Sequence, residues 1–291
     1  MRSARLANIR HRPPFAVLLA LAGLAGLPGS CAPLPGDRAV VSVGGGGMEI
    51  TESRAADPAV VFENGLTARK EEWNKVFPEV ARTNTVFAYN RPGIGENPAT
   101  VRPRDGATII EDLRALLASR NIRPPYVLVG HSAGGLYMQL YARRYPAEVA
   151  GLVLVDSTHP EQFVAEGAMK NRSTLANAIM AVGLPASSKA EFEALVETGR
   201  EVLAAPPLST KVPAAILIAP DTSGGAMADF DNAKRRDFAR LYPGAAVLEA
   251  GSSHNVPQDQ PQAVIDAIRK VLAARPARPA PGTRPDKGGR Q

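Results

Sequence analysis

From about Glu49 the chain alternates between short apolar runs and segments of helical spacing. "AVVFENG" (Ala59 to Gly65) is a continuous apolar run closed by a glycine turn and predicts a strand. A helical stretch around Trp73 and Val76 follows, then a second strand, "TVFAYN" (Thr85 to Asn90), which ends in the turn-rich "RPGIGENP". "TIIEDLRALLASR" places Ile109, Ile110, Leu113, Leu116 and Leu117 at helical spacing, and Pro124 and Pro125 stop it. "YVLVG" is the next strand and "GLYMQLYARRYP" the helix behind it. "VAGLVLVDS", "VPAAILIAP" and "AAVLEAGSS" read as further strands, with "PQAVIDAIRKVLAA" as a closing helix. Strands such as "LVLV" lack polar alternation, as expected of strands covered on both faces.

This order predicts an α/β fold: a mostly parallel central sheet with helices on both faces. The alternation breaks once, between about residues 158 and 210. Two helical patterns, "EQFVAEGAMKNRSTLANAIM" and "KAEFEALVETGREVLAA", occur there with no strand between them. They predict an inserted helical lid over the C-terminal edge of the sheet.

The ends of the 291-residue chain read differently. Arg2, Arg5, Arg10 and Arg12 precede the apolar run Phe15 to Leu27, and Pro28, Gly29 and Ser30 follow it. A basic start, a short greasy run and a small-residue exit form a secretory signal-peptide pattern, and 13 apolar residues are too few to span a bilayer. Residues 1–31 are therefore read as a leader, and the protein as exported, periplasmic or extracellular. The single cysteine, Cys31, excludes an intrachain disulfide. Its context, "LPGSC", resembles the lipid-modified cysteine of bacterial lipoproteins, although Pro28 stands where an aliphatic residue is expected. Cys31 has two readings, a membrane tether and an incidental leader cysteine. Residues 32–48, with "VGGGG" at Val43 to Gly47, read as a flexible linker. Residues 275–291, rich in Pro, Gly and Arg, read as a disordered basic tail. The folded part is then 49–274.

The formal net charge of +6 suggests a nucleic-acid partner only until it is located. The leader and the tail each carry a net +4, so the body between them is acidic. No nucleic-acid partner is expected. No H-E-x-x-H and no G-x-G-x-x-G followed by a helix occurs, so neither a metal nor an organic cofactor is implied.

The chemistry centres on Gly130-His131-Ser132-Ala133-Gly134, a G-x-S-x-G run between the "YVLVG" strand and a helix. A strand that turns at once into a helix strains its middle residue and leaves no room for side chains beside it. The helix behind aims free N–H groups toward the serine. This is the context of a nucleophile elbow. A serine hydroxyl needs a base. Of the four histidines, His11 lies in the leader, and His131 should point away from the hydroxyl. His159 follows an earlier strand, where it could line the lid. His254, in the polar loop "LEAGSSHNVPQDQP", faces the same sheet edge as Ser132 and is the favoured base.

Gly65, "YNRPGIG", "PYVLVGHSAGGL", "YARRYPAEVAGLVLVDSTHP" and "SSHNVPQDQPQAVIDAI" together resemble the α/β-hydrolase superfamily, over about Val60 to Ala274. The nearest branch is the esterase-like one related to lactone, ester and haloalkane hydrolases. The resemblance implies a Ser–Asp/Glu–His triad in that chain order, and Ser132 and His254 match it. For the acid it leaves two strand-end candidates: Asp156, which the comparison favours, and Asp221, which follows the penultimate strand. It also implies an oxyanion hole from the Ala133 N–H and, by analogy, the Leu66 N–H. Asn64 replaces the family's usual histidine before Gly65, and Asn90 replaces its usual aspartate before Arg91. A haloalkane dehalogenase would need a carboxylate in place of Ser132. The expected activity is hydrolysis of a small carboxylic ester through an acyl-enzyme. The alternative is a non-catalytic binding protein on the same fold.

Overall fold

The structure, a computed structural model, describes residues 32–44, 46–168, 171 and 183–275. Eight strands form one sheet: β1 (Asp37–Val43), β2 (Gly46–Ser53), β3 (Ala56–Glu63), β4 (Asn84–Tyr89), β5 (Tyr126–His131), β6 (Val149–Val155), β7 (Ala214–Ile218) and β8 (Ala246–Glu249). Their order is β1-β2-β4-β3-β5-β6-β7-β8. β1 and β2 pair antiparallel with each other, as do β2 and β4, and every other pairing is parallel.

The unbroken apolar strands are buried on two sides, as their composition requires. Along β5, Val127 and Val129 point into one core and Leu128 into the other. Along β6, Val153 and Val155 oppose Leu152 and Leu154 in the same way. This is the two-residue period of a strand with both faces covered. One face is covered by α2 (Gly106–Ser119), α3 (Ala133–Arg144) and α4 (Ala186–Ala204), which contribute Ile109, Leu136 and Leu195. The other is covered by Trp73, by Phe77 of the short helix α1 (Phe77–Ala81) and by Ile268 of α7 (Pro261–Ala274). The N-terminus of α2 is capped by Asp105, whose side chain accepts the Thr108 N–H at 2.8 Å. α5 (Ala226–Leu241) crosses from β7 to β8, and α6 (Val256–Asp259) precedes α7.

Three features depart from the sequence reading. Residues 32–48 are not a linker: β1 and β2 form a hairpin, with Gly44 at φ +63° in its turn. Met48 and Ile50 are buried under the sheet edge, while Glu49 between them stays partly exposed. A strand with only two core residues offers little apolar signal. The second helical pattern of the expected lid is α4, but α4 is docked on the body. Its Thr198 Oγ1 accepts the Gly106 N–H at 2.9 Å and its Glu201 accepts the Ala107 N–H at 3.2 Å, so it caps α2. Most of the first pattern lies outside the described residues, and its described beginning forms turns and a 3-10 segment at Ala165–Gly167. Finally, α5 has no counterpart in the sequence reading, because most of its residues are polar and only Ala228, Phe238 and Leu241 are buried. The leader, Cys31 and all of the tail but Arg275 lie outside the described residues.

Candidate active site

β5 ends at His131 and α3 begins at Ala133, leaving Ser132 alone in the turn with φ 53° and ψ −122°. A non-glycine residue held there costs about 1–3 kcal/mol. The turn is secured by the Ser132 N–H, which donates to Val155 O at 3.1 Å, and by Ser132 O, which accepts from Thr158 N at 2.9 Å. The flanking glycines are demanded by backbone. A Cβ on Gly130 would lie 2.6 Å from Gly134 O, and one on Gly134 would lie 2.4 Å from both Glu63 O and Asn64 O. Backbone cannot move aside as a flexible side chain can. Gly134→Ala is therefore expected to cost about 1–3 kcal/mol, read as a lowered urea midpoint.

His254 lies in the loop between β8 and α6. Its Nε2 is 3.0 Å from Ser132 Oγ, and its Nδ1 is 2.6 Å from Asp156 Oδ2. A carboxylate can only accept, so the ring hydrogen sits on Nδ1 and the Nε2 lone pair faces the serine hydroxyl. Asp156 directly follows β6 and is buried, at φ 35°. Four donors surround its carboxylate. Beyond His254, Oδ1 accepts Arg235 Nε at 2.8 Å and Ala219 N at 3.0 Å, and Oδ2 accepts Arg235 Nη2 at 3.2 Å. Burial by itself would raise the Asp156 carboxyl, but the hydrogen bonds and charges of His254 and Arg235 outweigh it. The group is held far below the ordinary carboxylate range.

Asp221, the other candidate acid, is occupied elsewhere. Its Oδ1 accepts the Ser223 N–H at 2.8 Å, and its backbone exchanges two hydrogen bonds with the Asn232 side chain. Asn232 lies one helical turn before Arg235 on α5. The turn at Asp221 thus braces the helix that brings Arg235 to Asp156. Arg235 was invisible to sequence reasoning, since "AKRRDFAR" looks like a solvated face.

The loop after β3 is fixed from all sides. Arg91, fully buried, donates to Asn64 O and Gly65 O at 2.8 Å each and pairs with Glu63 and Glu191. Trp73 Nε1 donates to Asn64 Oδ1 at 3.0 Å, and Asn64 Nδ2 donates to Tyr89 O at 2.7 Å. Leu66, half-buried, follows at the turn, while Ala133 is the first residue of α3. Asn90 accepts the Lys70 N–H at 2.7 Å and donates to Glu49, so it holds the end of β4. Sequence reasoning also missed Glu72, whose Oε1 accepts the Gly65 N–H at 2.9 Å.

The ring nitrogens of His159 are engaged away from Ser132 Oγ. Its Nδ1 accepts the Glu161 N–H and its Nε2 faces Asp237 Oδ2, both at 3.1 Å. Burial, then the nearby Lys234, pushes this imidazole down to about 4. His159, Glu161 and Asp237 could together offer ligand atoms to a metal. However, Lys234 already pairs with Glu161 at 3.0 Å, and Arg240 with Asp237 at 2.7 Å.

A parallel sheet whose strand ends deliver a serine elbow and a histidine loop to one edge defines an α/β hydrolase. The chain belongs to that family, whose model for the alpha/beta hydrolase fold matches residues 58–245. Among curated relatives it is similar to the uncharacterized protein YbdG of Bacillus subtilis (strain 168). Identity there is 28% over 133 residues, or 45% of this chain and 41% of the relative. The chain spans less than half the length of the curated relatives it matches first. Among solved structures, Cfl2 from Burkholderia cenocepacia superposes with a TM-score of 0.62 at 19% identity, covering 80% of this chain and 94% of Cfl2. The epoxide hydrolase CorEH superposes at 0.59 and 18% identity, covering 81% of this chain and 98% of its own.

Proposed function

We propose that this hydrolase is an exported serine esterase that cleaves small carboxylic esters through an acyl-enzyme. The observation that carries the reading is the continuous hydrogen-bonded path Ser132–His254–Asp156. His254 Nε2 takes the Ser132 proton as Oγ attacks the ester carbonyl. The negative oxygen that forms is held by the Ala133 and Leu66 N–H groups, fixed dipoles that need no reorganisation. Collapse expels the alcohol, which receives the proton from His254. Water, deprotonated by the same imidazole, then attacks the acyl-serine and releases the acid. Asp156 keeps the ring in the required tautomer and stabilises the imidazolium. Export rests on the leader pattern of residues 1–31.

The likeness to an epoxide hydrolase raises a second substrate class. A serine that opened an epoxide would become an ether, which attack of water at a carbonyl cannot release. A serine acylated by an ester is released by that step. The nucleophile therefore favours acyl substrates.

The test is a fluorophosphonate probe together with p-nitrophenyl acetate turnover. The protein should be labelled on Ser132 and should hydrolyse the ester, and Ser132→Ala should abolish both. Labelling that survives in Ser132→Ala would falsify the assignment. Absence of turnover and labelling in the unaltered chain would favour a binding protein instead.

A further inference from the structure

The mechanism above makes no use of His131, yet this side chain joins the two loops that the mechanism needs. His131 is buried. Its Nδ1 is 3.0 Å from Glu72 Oε2 and its Nε2 is 2.9 Å from the backbone carbonyl oxygen of His254. The other Glu72 oxygen holds the Gly65 N–H, one residue before Leu66. A chain of contacts, Gly65–Glu72–His131–His254, thus runs from the loop after β3 to the loop after β8.

The protons in this chain can be counted. A backbone carbonyl only accepts, so His131 Nε2 must carry a hydrogen. The Glu72 carboxylate also only accepts, so Nδ1 must carry one too. A neutral imidazole has a single N–H. It would set two lone pairs against each other at one of the two contacts. We infer that His131 is held as an imidazolium paired with Glu72, and that it is a positioning residue which draws the His254 loop onto the elbow and releases it on losing its proton. This inference rests on the proposed role of His254.

The surroundings agree. The titratable groups around the ring are Glu72 from the 3-10 turn at Lys70–Trp73 and His254, with its ring centroid 4.9 Å away, and the charge of Asp156, just after β6, also reaches it. The edge of Trp73, at 6.4 Å between centroids, completes the pocket and carries no charge. Burial opposes the cation, but the Glu72 charge and hydrogen bond, the His254 carbonyl and Asp156 together raise His131 above the ordinary imidazole value. A histidine raised in the folded state stabilises fully below its unfolded value of about 6.5, and that contribution is lost as pH rises through the folded value. The clamp is therefore closed while His131 holds its proton and opens as pH rises through the folded value.

Nitrogen NMR of the full chain labelled with 15N-histidine tests the charge directly, with His131→Asn identifying the signal. At pH 7 both ring nitrogens of His131 should show the shift of protonated imidazolium, and a neutral ring would overturn the inference. The second arm is the pH profile of kcat/KM for p-nitrophenyl acetate, normalised to each protein's own maximum. In Glu72→Gln the amide oxygen can still accept from Gly65, and the amide N–H can donate to Nδ1 of a neutral ring. The alkaline decline of the unaltered protein should therefore disappear in Glu72→Gln. A decline that persists unchanged would also overturn the inference. The NMR arm requires no turnover, so a cationic His131 in a protein without esterase activity would remove the proposed function and leave the clamp standing.

Discussion

His254→Ala is expected to lower kcat for p-nitrophenyl acetate by about four to six orders of magnitude with little change in KM. The serine hydroxyl is unreactive without a group to take its proton, and in the proposed mechanism that group is Nε2, 3.0 Å from Oγ. Among the described residues, no second imidazole can substitute. His131 is committed to Glu72 and the His254 carbonyl, and His159 faces Asp237. KM should hold because the ring acts on the proton in flight and does not grip the ester. Stopped-flow measurement of the p-nitrophenolate burst separates the two steps. Loss of the base should slow the burst itself, because acylation needs it as much as deacylation does. A variant retaining more than about a tenth of the parent rate would show that another group is the base.

Asp156→Asn and Asp221→Asn should differ sharply, although both aspartates follow the ends of neighbouring parallel strands. Asp156→Asn is expected to lower kcat by about three to four orders of magnitude. An amide can offer its N–H to Nδ1 and so favour the wrong tautomer, and it cannot balance the imidazolium. The change also leaves Arg235, half-buried, without the carboxylate it grips through two nitrogens. Asp221→Asn touches only a turn and should leave kcat within about twofold, at a stability cost of roughly 1 kcal/mol for the weakened bond to Ser223. The reverse ranking would assign the acid to Asp221.

Stability against pH gives an independent reading of Asp156. Its carboxyl is depressed in the folded protein. A depressed carboxylate contributes stability that is complete above its unfolded value of about 3.9 and is lost as pH falls toward the folded value. The urea midpoints of the unaltered protein and of Asp156→Asn should thus differ most above about pH 4 and converge as the solution is acidified further. If the gap stays constant down to pH 2, the carboxylate is not the group that Arg235 and His254 stabilise.

The elements that sequence located well are those whose constraint is local. A strand covered on both faces must be apolar throughout, so "YVLVG" and "GLVLV" identify β5 and β6. An elbow that leaves no room for a Cβ must carry Gly130 and Gly134, so the position of Ser132 is written in its neighbours. His254 followed by elimination among four histidines and from its place after the last strand. The same local signals failed where an element is mostly polar. β1, β2 and α5 bury too few residues to stand out, and "VGGGG" reads as a tether although it carries a hairpin turn.

By itself, then, the amino-acid order determined the layered α/β architecture, the serine elbow and the histidine that meets it. Packing decided which aspartate meets that histidine, that Arg235 braces the acid from the helix between β7 and β8, and that α4 is fastened to the body through Thr198 and Glu201. Packing also placed Glu72 and His131 between the two loops of the site. The reason is physical. Hydrophobic periodicity records whether a position faces the core or water, and steric rules record where only glycine fits. Neither records which polar groups, far apart in the chain, will satisfy one another once the sheet has brought its strand ends together.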